Sequence, residues 1–252
     1  MKKGFFMKKI IVSSILLVSS IFAMSNVEVA QKSDDVMSGF VDSVSQMEMK
    51  LINARGQEKI RTMSMKVLEG KVEDKSLMEF TTPADVKGTK FLNYEHVNKD
   101  DDQWLYLPAL KRVKRISSKK KSGAFMGSEF SYEDLSAFNV NKYTYENGEA
   151  QESGSNFVVE SVPVSKHSGY TKRISYVDKE SFLIQKVEYY DRKKQLLKTA
   201  TFSEYKKFGE VNRIGKIHMQ NIQNDKTTIL VWSKEKIKTG LTAKKFHKRY
   251  LK

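Results

Sequence analysis

The chain has 252 residues, 45 Lys and Arg against 30 Asp and Glu, and no cysteine. Without cysteine there is no disulfide, no thiolate nucleophile, no cysteine-ligated metal and no lipid-modified cysteine to tether an exported protein. The formal charge of +15 points to anionic partners such as phospholipid, an acidic protein or a polyanion.

The N-terminal stretch MKKGFFMKKIIVSSILLVSSIFAMSNVEVAQ sets Lys2, Lys3, Lys8 and Lys9 ahead of an apolar run from Ile10 to Met24. This reads as a secretory signal peptide: the run is shorter than the ~20 residues a spanning helix needs, and small residues follow it. Cleavage is expected after Ser25. Ala30 is a less favoured site, because Glu28 would then occupy a position that prefers a small side chain. Residues 1–25 are thus the expected leader and 26–252 a single domain, with a net charge of +11 once the four leader lysines are lost. No second apolar run of spanning length follows, so the mature chain is expected to be soluble, periplasmic and free of a lipid anchor.

Val36, Met37, Phe40, Val41 and Val44 recur at helical spacing behind Ser33 and Asp34, which predicts a short amphipathic helix over 33–44. The period then becomes two. QMEMKLI and TMSMKV alternate apolar with polar residues, and SLMEFTT, KFLNYEHV and QWLYLP continue the pattern between turn-like segments. From YTYENG to KTTILVW a further seven strand candidates follow, giving ten or more in all, the spacing of a sandwich or barrel. SYEDLSAF and the tail TAKKFHKRYL read as helical pieces. With so few helices the sheet must curl on itself, which leaves an apolar cavity and a packed interior equally open. Met47, Met49, Met63, Met65 and Met78 suit either a core gap or an adaptable lipid-binding lining.

The chemistry of catalysis is not evident. His96, His167, His218 and His247 lack metal-ligand spacing, and no nucleophile elbow, phosphate loop or dinucleotide fingerprint occurs. Asp100, Asp101 and Asp102 lack the further oxygen ligands of a calcium loop. Glu133 and Asp134 are read as the charged first turn of a helix capped by Ser131, or as partners of nearby cations, in preference to an acid and base. No catalytic residue, metal or cofactor is therefore expected. The run KRVKRISSKKK alternates Lys111, Val113 and Arg115 with Arg112, Lys114 and Ile116, a solvent-leaning strand that is either a wet edge or a docking surface for headgroups or an acidic partner. Nucleic acid is not an expected partner, since no exposed stacking aromatics interleave the basic groups.

The stretch WLYLPALKRVKRI, followed by SGAFMGSEFSYEDL, closely resembles the outer-membrane lipoprotein-sorting protein family, within the LolA-like periplasmic carrier superfamily. The matching residues are Trp104, Tyr106, Pro108, Arg112, Val113, Arg115, Phe125, Met126, Gly127, Ser128, Phe130, Tyr132 and Asp134. The resemblance implies an incomplete, strongly curved antiparallel β-barrel with short helices over its opening, sheltering lipid or lipoprotein acyl chains. On that fold Trp104 with Tyr106, or Leu105 with Leu107, would line the concave interior, since alternate residues share a strand face. Phe125, Met126, Phe130 and Tyr132 would complete the lining at the cavity mouth. Arg112 and Arg115 would hold the loop by pairing with Glu129, Glu133 or Asp134, and Gly127 and Ser128 would shape it. The expected function is a non-enzymatic periplasmic carrier. The alternative is an accessory protein that docks on an inner-membrane exporter of the resistance-nodulation-division or MmpL type, or on an anionic phospholipid surface, through its basic strand.

Overall fold

The computed structural model describes residues 24–252 apart from 71 and 98, so the leader expected at the N-terminus lies largely outside the described residues. Helix α1 (Asn26–Asp35) opens the fold. A capping box starts it: Ser25 Oγ accepts from the amide of Glu28, whose carboxylate accepts in turn from Ser25. The helix expected over 33–44 is therefore displaced toward the N-terminus. The reason is local: Gly39 (φ 93°) and Val41 (φ 68°) cannot continue a right-handed helix, and Asp42 already begins a strand.

Sixteen strands follow: β1 (Asp42–Ile52), β2 (Glu58–Leu68), β3 (Glu73–Thr82), β4 (Lys90–His96), β5 (Asp102–Leu107), β6 (Arg112–Ile116), β7 (Tyr143–Tyr145), β8 (Gln151–Ser153), β9 (Asn156–Pro163), β10 (Tyr170–Asp178), β11 (Ile184–Asp191), β12 (Leu196–Ser203), β13 (Lys206–Phe208), β14 (Val211–Arg213), β15 (Lys216–Asn221) and β16 (Lys226–Ile237). All but β13 and β14 form one antiparallel sheet of order β6-β5-β4-β3-β2-β1-β16-β15-β12-β11-β10-β9-β7, with β8 also on β9. This large curved sheet does not close into a barrel: β6 and β7 are its two edges, and the segment 117–142 that joins them in sequence runs between them. The pieces expected to be helical are 3-10 turns, at Tyr132–Leu135 and in the tail at Ala243–Phe246 and Lys248–Leu251.

The main core lies on one face of the sheet. Met47 pairs across strands with Met63, Met63 with Phe80, Met65 with Met78, and Met78 with Phe91, so the methionines of adjacent strands form contiguous rows. A second core packs Leu92, Phe246 and Leu251 on the opposite face, beneath the C-terminal tail. Val29 of α1 joins a third, with Ala150, Val159 and Val177.

Candidate functional site

Strand β5 divides its four apolar residues between the two faces. Leu105 (5% exposed) and Leu107 join the main core with the methionines. Trp104 and Tyr106 point the other way and are covered by the tail: the Trp104 ring packs edge-on to Tyr94 at 5.0 Å, and Lys248 lies over it. Of the four side chains expected to line the interior, the aromatic pair is thus on the outer face. The period of two requires that one pair be excluded, and the tail decides which.

The inner face is filled by the chain itself. Phe125 (0% exposed) and Phe130 (3%) project from the segment between β6 and β7 into the methionine-rich core, with Met126, Tyr132 and Leu135 packed against it. Phe125 meets Phe91 at 5.2 Å, Tyr132 at 5.6 Å and Phe80 at 6.0 Å between ring centroids. The tip is a tight turn in which the amide of Ser128 donates to Phe125 O at 2.9 Å, with Met126 and Gly127 both at positive φ. Ser128 is buried and its hydroxyl donates to the same carbonyl, which fixes the turn from inside.

Polar groups of the sheet hold this plug. Arg61 donates to Met126 O at 2.6 Å. Lys198, buried on β12, donates to Asp134 Oδ2 at 2.6 Å and to Glu129 O at 2.8 Å. Tyr170 Oη donates to Asp134 at 2.8 Å, Asn221 donates to the Glu129 carboxylate at 2.7 Å, and the amide of Glu129 donates to Thr228 Oγ1. Asp134 also closes a capping box with Ser131, as expected for that turn, while the Glu133 carboxylate accepts from the Gly169 amide. Burial raises the pKa of Glu133, with the Asp134 charge adding to it.

Arg112 and Arg115 take no part in this latch. Arg112 is exposed, and Arg115, on the face of Trp104, pairs with Asp102. The residues that hold the plug come instead from β2, β10, β12, β15 and β16, which only the curvature of the sheet brings together. A faint signal existed: Arg61 has the parity of Met63 and Met65, and Lys198 that of Ala200, so both are cations on a buried face.

Of the three aspartates at the β4–β5 turn, Asp100 and Asp101 secure the same segment, and Asp102 ties β5 to β6. Asp100 accepts from Lys121 and Ser165, Asp101 from Ser136 and Lys142, and Asp102 from Arg115 with His96 also in contact. Beside them Glu95 accepts from the Ala137 amide, and burial pushes its pKa up to about 8 against the nearby Lys142 charge. Among the described residues no His, Asp and Glu group has the arrangement to hold a metal.

Where the plug meets the β11–β12 and β15–β16 turns a groove of about 380 Å³ remains, with Ala124, Phe130, Tyr170 and Leu197 on its apolar side and Arg192, Lys193 and Lys198 on its polar side. It leads from the surface to the buried flank of the plug.

A solved structure of an outer membrane lipoprotein-sorting protein domain from Vibrio parahaemolyticus is 46% identical, covering 89% of this chain and 97% of that one, with a TM-score of 0.85. The chain belongs to the outer membrane lipoprotein-sorting protein family. A DUF1329 family protein from Desulfovibrio piger is similar over 90% of this chain and 98% of that one, at 29% identity and a TM-score of 0.84. A LolA superfamily protein from Nitrosomonas europaea, at 19% identity and a TM-score of 0.73 over 90% of this family member and 100% of that chain, shares its fold. A family model described as "Uncharacterized protein" matches residues 72–252. No curated protein matches the sequence.

Proposed function

We propose that this protein is a non-enzymatic carrier that shelters acyl chains of a lipid or lipoprotein against the methionine and phenylalanine rows of its inner face, with segment 117–142 as a displaceable plug. The observation that carries this reading is the contrast within the plug: Phe125 and Phe130 are buried as in a core, yet the segment bearing them is held by side-chain hydrogen bonds from five strands. Each CH₂ of an acyl chain left in water costs ~0.8 kcal/mol, so a carrier needs an apolar surface that is covered when empty. A phenylalanine plug covers that surface, and acyl chains replace its contacts at little net change in buried apolar area. Hydrogen bonds to the plug are exchangeable with water once the segment lifts, which makes the seal reversible. Flexible methionines fit chains of varied length and branching. The groove beside Phe130 and Leu197 is the port.

The basic leader and apolar run support export, with the periplasm as the working compartment. Val29 and Ala30 are buried in the fold, so cleavage after Ala30 would remove core side chains, whereas cleavage after Ser25 would remove the cap of α1 and leave that core in place. Among the described residues no helix is long and apolar enough to cross a membrane.

The test is native mass spectrometry of the full chain purified gently from its source compartment, then delipidated and offered diacyl lipids. A retained acyl species is expected, with more loading in Arg61→Ala, where the bond to Met126 is lost. Folded protein that carries no lipid and takes up none, wild type and variant alike, would overturn the carrier reading.

A further inference from the structure

The inner faces of β9, β10, β11, β12 and β15 carry a row of polar residues in direct cross-strand register: Ser161, Arg173, Tyr189, Lys198 and Asn221. Two members are satisfied by the plug, Lys198 by Asp134 and Asn221 by Glu129. Arg173 is not. It is 9% exposed, makes no hydrogen bond or ion pair among the described residues, and its Nε is fully buried without an acceptor. Its guanidinium stacks on Tyr143, 3.8 Å from the ring centroid, with Phe138 at 5.3 Å.

A stacked guanidinium has its face occupied and its N–H groups directed outward in its own plane, the geometry that receives an oxyanion through paired hydrogen bonds. Burying this cation without a counter-ion is costly, and aromatic faces offset only part of that cost. Ser161 Oγ, on the strand beside it, and Ser33 Oγ, on α1, are likewise buried without partners and line a void of about 10 Å³, room for one water. Two strand spacings separate Arg173 from Lys198, roughly 10 Å.

We propose that Arg173 is the recognition site for a phosphate-bearing headgroup, with Ser33 and Ser161 as further donors and Lys198 as a second cation once Asp134 withdraws. This rests on the carrier reading and names its cargo class: an anionic phospholipid, its chains on the methionine rows and its phosphate on the polar row. In the closed state the plug's Asp134 neutralises Lys198, and the void at Ser33 and Ser161 is too small for a phosphate. The phosphate reaches Arg173 when the stretch carrying Phe138 lifts with the rest of the plug. Loading and plug release are thus one event, since the headgroup's charge replaces that of Asp134 in the row.

The experiment offers the delipidated full chain dioleoylphosphatidylglycerol, dioleoylglycerol with the same chains and no phosphate, and inorganic phosphate, and reads bound mass and affinity. Wild type is expected to prefer phosphatidylglycerol over dioleoylglycerol by about tenfold or more, the effect of one or two charge-assisted hydrogen bonds. Arg173→Gln is expected to abolish that preference while leaving dioleoylglycerol binding unchanged, and Arg173→Lys to retain part of it. Equal binding of the two lipids by wild type overturns the headgroup site and leaves the carrier reading standing, a result that does not depend on any variant folding. Binding of neither lipid overturns both. An unaltered preference in folded Arg173→Gln removes Arg173 from the site, and tight binding of inorganic phosphate that is lost in Arg173→Gln, without any lipid preference, assigns the site to free phosphate instead.

Discussion

Two segments cover the two faces of one sheet, and they do so by different means. The tail from 241 to 252 lies on the outer face with Phe246 and Leu251, both 1% exposed, against Leu92, Tyr94, Trp104 and Tyr106. Its polar ties are few: Tyr94 Oη donates to Phe246 O at 2.7 Å and Lys90 to Tyr250 O at 3.3 Å. The segment 117–142 lies on the inner face with Phe125 and Phe130 equally buried, but it is tied by Arg61, Lys198, Tyr170, Asn221 and Thr228 and by Asp100 and Asp101 of the β4–β5 turn. Apolar contacts are non-directional and hold the tail wherever it fits. Hydrogen bonds hold the plug in one register, and they break together when that register is lost.

The largest test of this difference is a matched pair. Phe246→Ala and Phe125→Ala each remove a fully buried ring, and each is expected to cost about 3–5 kcal/mol in urea unfolding. Only Phe125→Ala is expected to increase uptake of a fluorescent acyl probe by the folded protein; equal uptake in Phe246→Ala would erase the distinction between plug and cover.

Next is Lys198→Met, which leaves the Asp134 carboxylate buried without its cation. The expected loss is about 3 kcal/mol, with most of it recovered in Lys198→Met/Asp134→Asn. Hydrogen exchange at Phe125 and Ser128 should accelerate in the single variant while that of the tail is unchanged. Uniform acceleration throughout the chain would mean that the pair stabilises the whole fold and not the plug alone.

A pH dependence follows from Glu95, which anchors the far end of the plug at Ala137. Its pKa rises from an ordinary 4.5 to about 8 in the fold, so over that range the folded protein keeps a proton that the unfolded chain has released. Stability should therefore fall as pH rises from about 4.5 to about 8. Glu95→Gln, always neutral, should flatten that slope in unfolding curves taken across the range. An identical slope in the variant would place the titration elsewhere.

The smallest effect is expected at the basic edge. Arg112→Ala and Lys114→Ala remove exposed side chains outside the latch, and stability should stay within about 0.5 kcal/mol, with probe uptake unaltered. A large rise in uptake in Arg112→Ala would return that residue to the loop-holding role first expected of it.

Much of this architecture was readable before the fold was known, because a period of two survives in strands such as QMEMKLI and TMSMKV, and because the motif from Trp104 to Asp134 is long. The loop residues Phe125, Met126, Phe130 and Tyr132 stood out in that motif. The latch was not. Arg61, Lys198, Asn221 and Thr228 lie up to 167 positions apart in sequence, and each by itself is an ordinary polar residue in an alternating strand. The helix near residue 33 was misplaced because apolar spacing outweighed the Ser25–Glu28 box and the break at Gly39.

The sequence by itself determined the alternation that makes a curved antiparallel sheet, the absence of thiols, and the presence of a conspicuous aromatic loop. Which face that loop fills, which pair from β5 it meets, and which cations receive it were decided only by tertiary structure. Periodicity specifies that two faces differ, but not which is concave. Curvature brings β2, β10, β12, β15 and β16 around a single segment, and the same curvature leaves Arg173 buried in the row without an anion of its own.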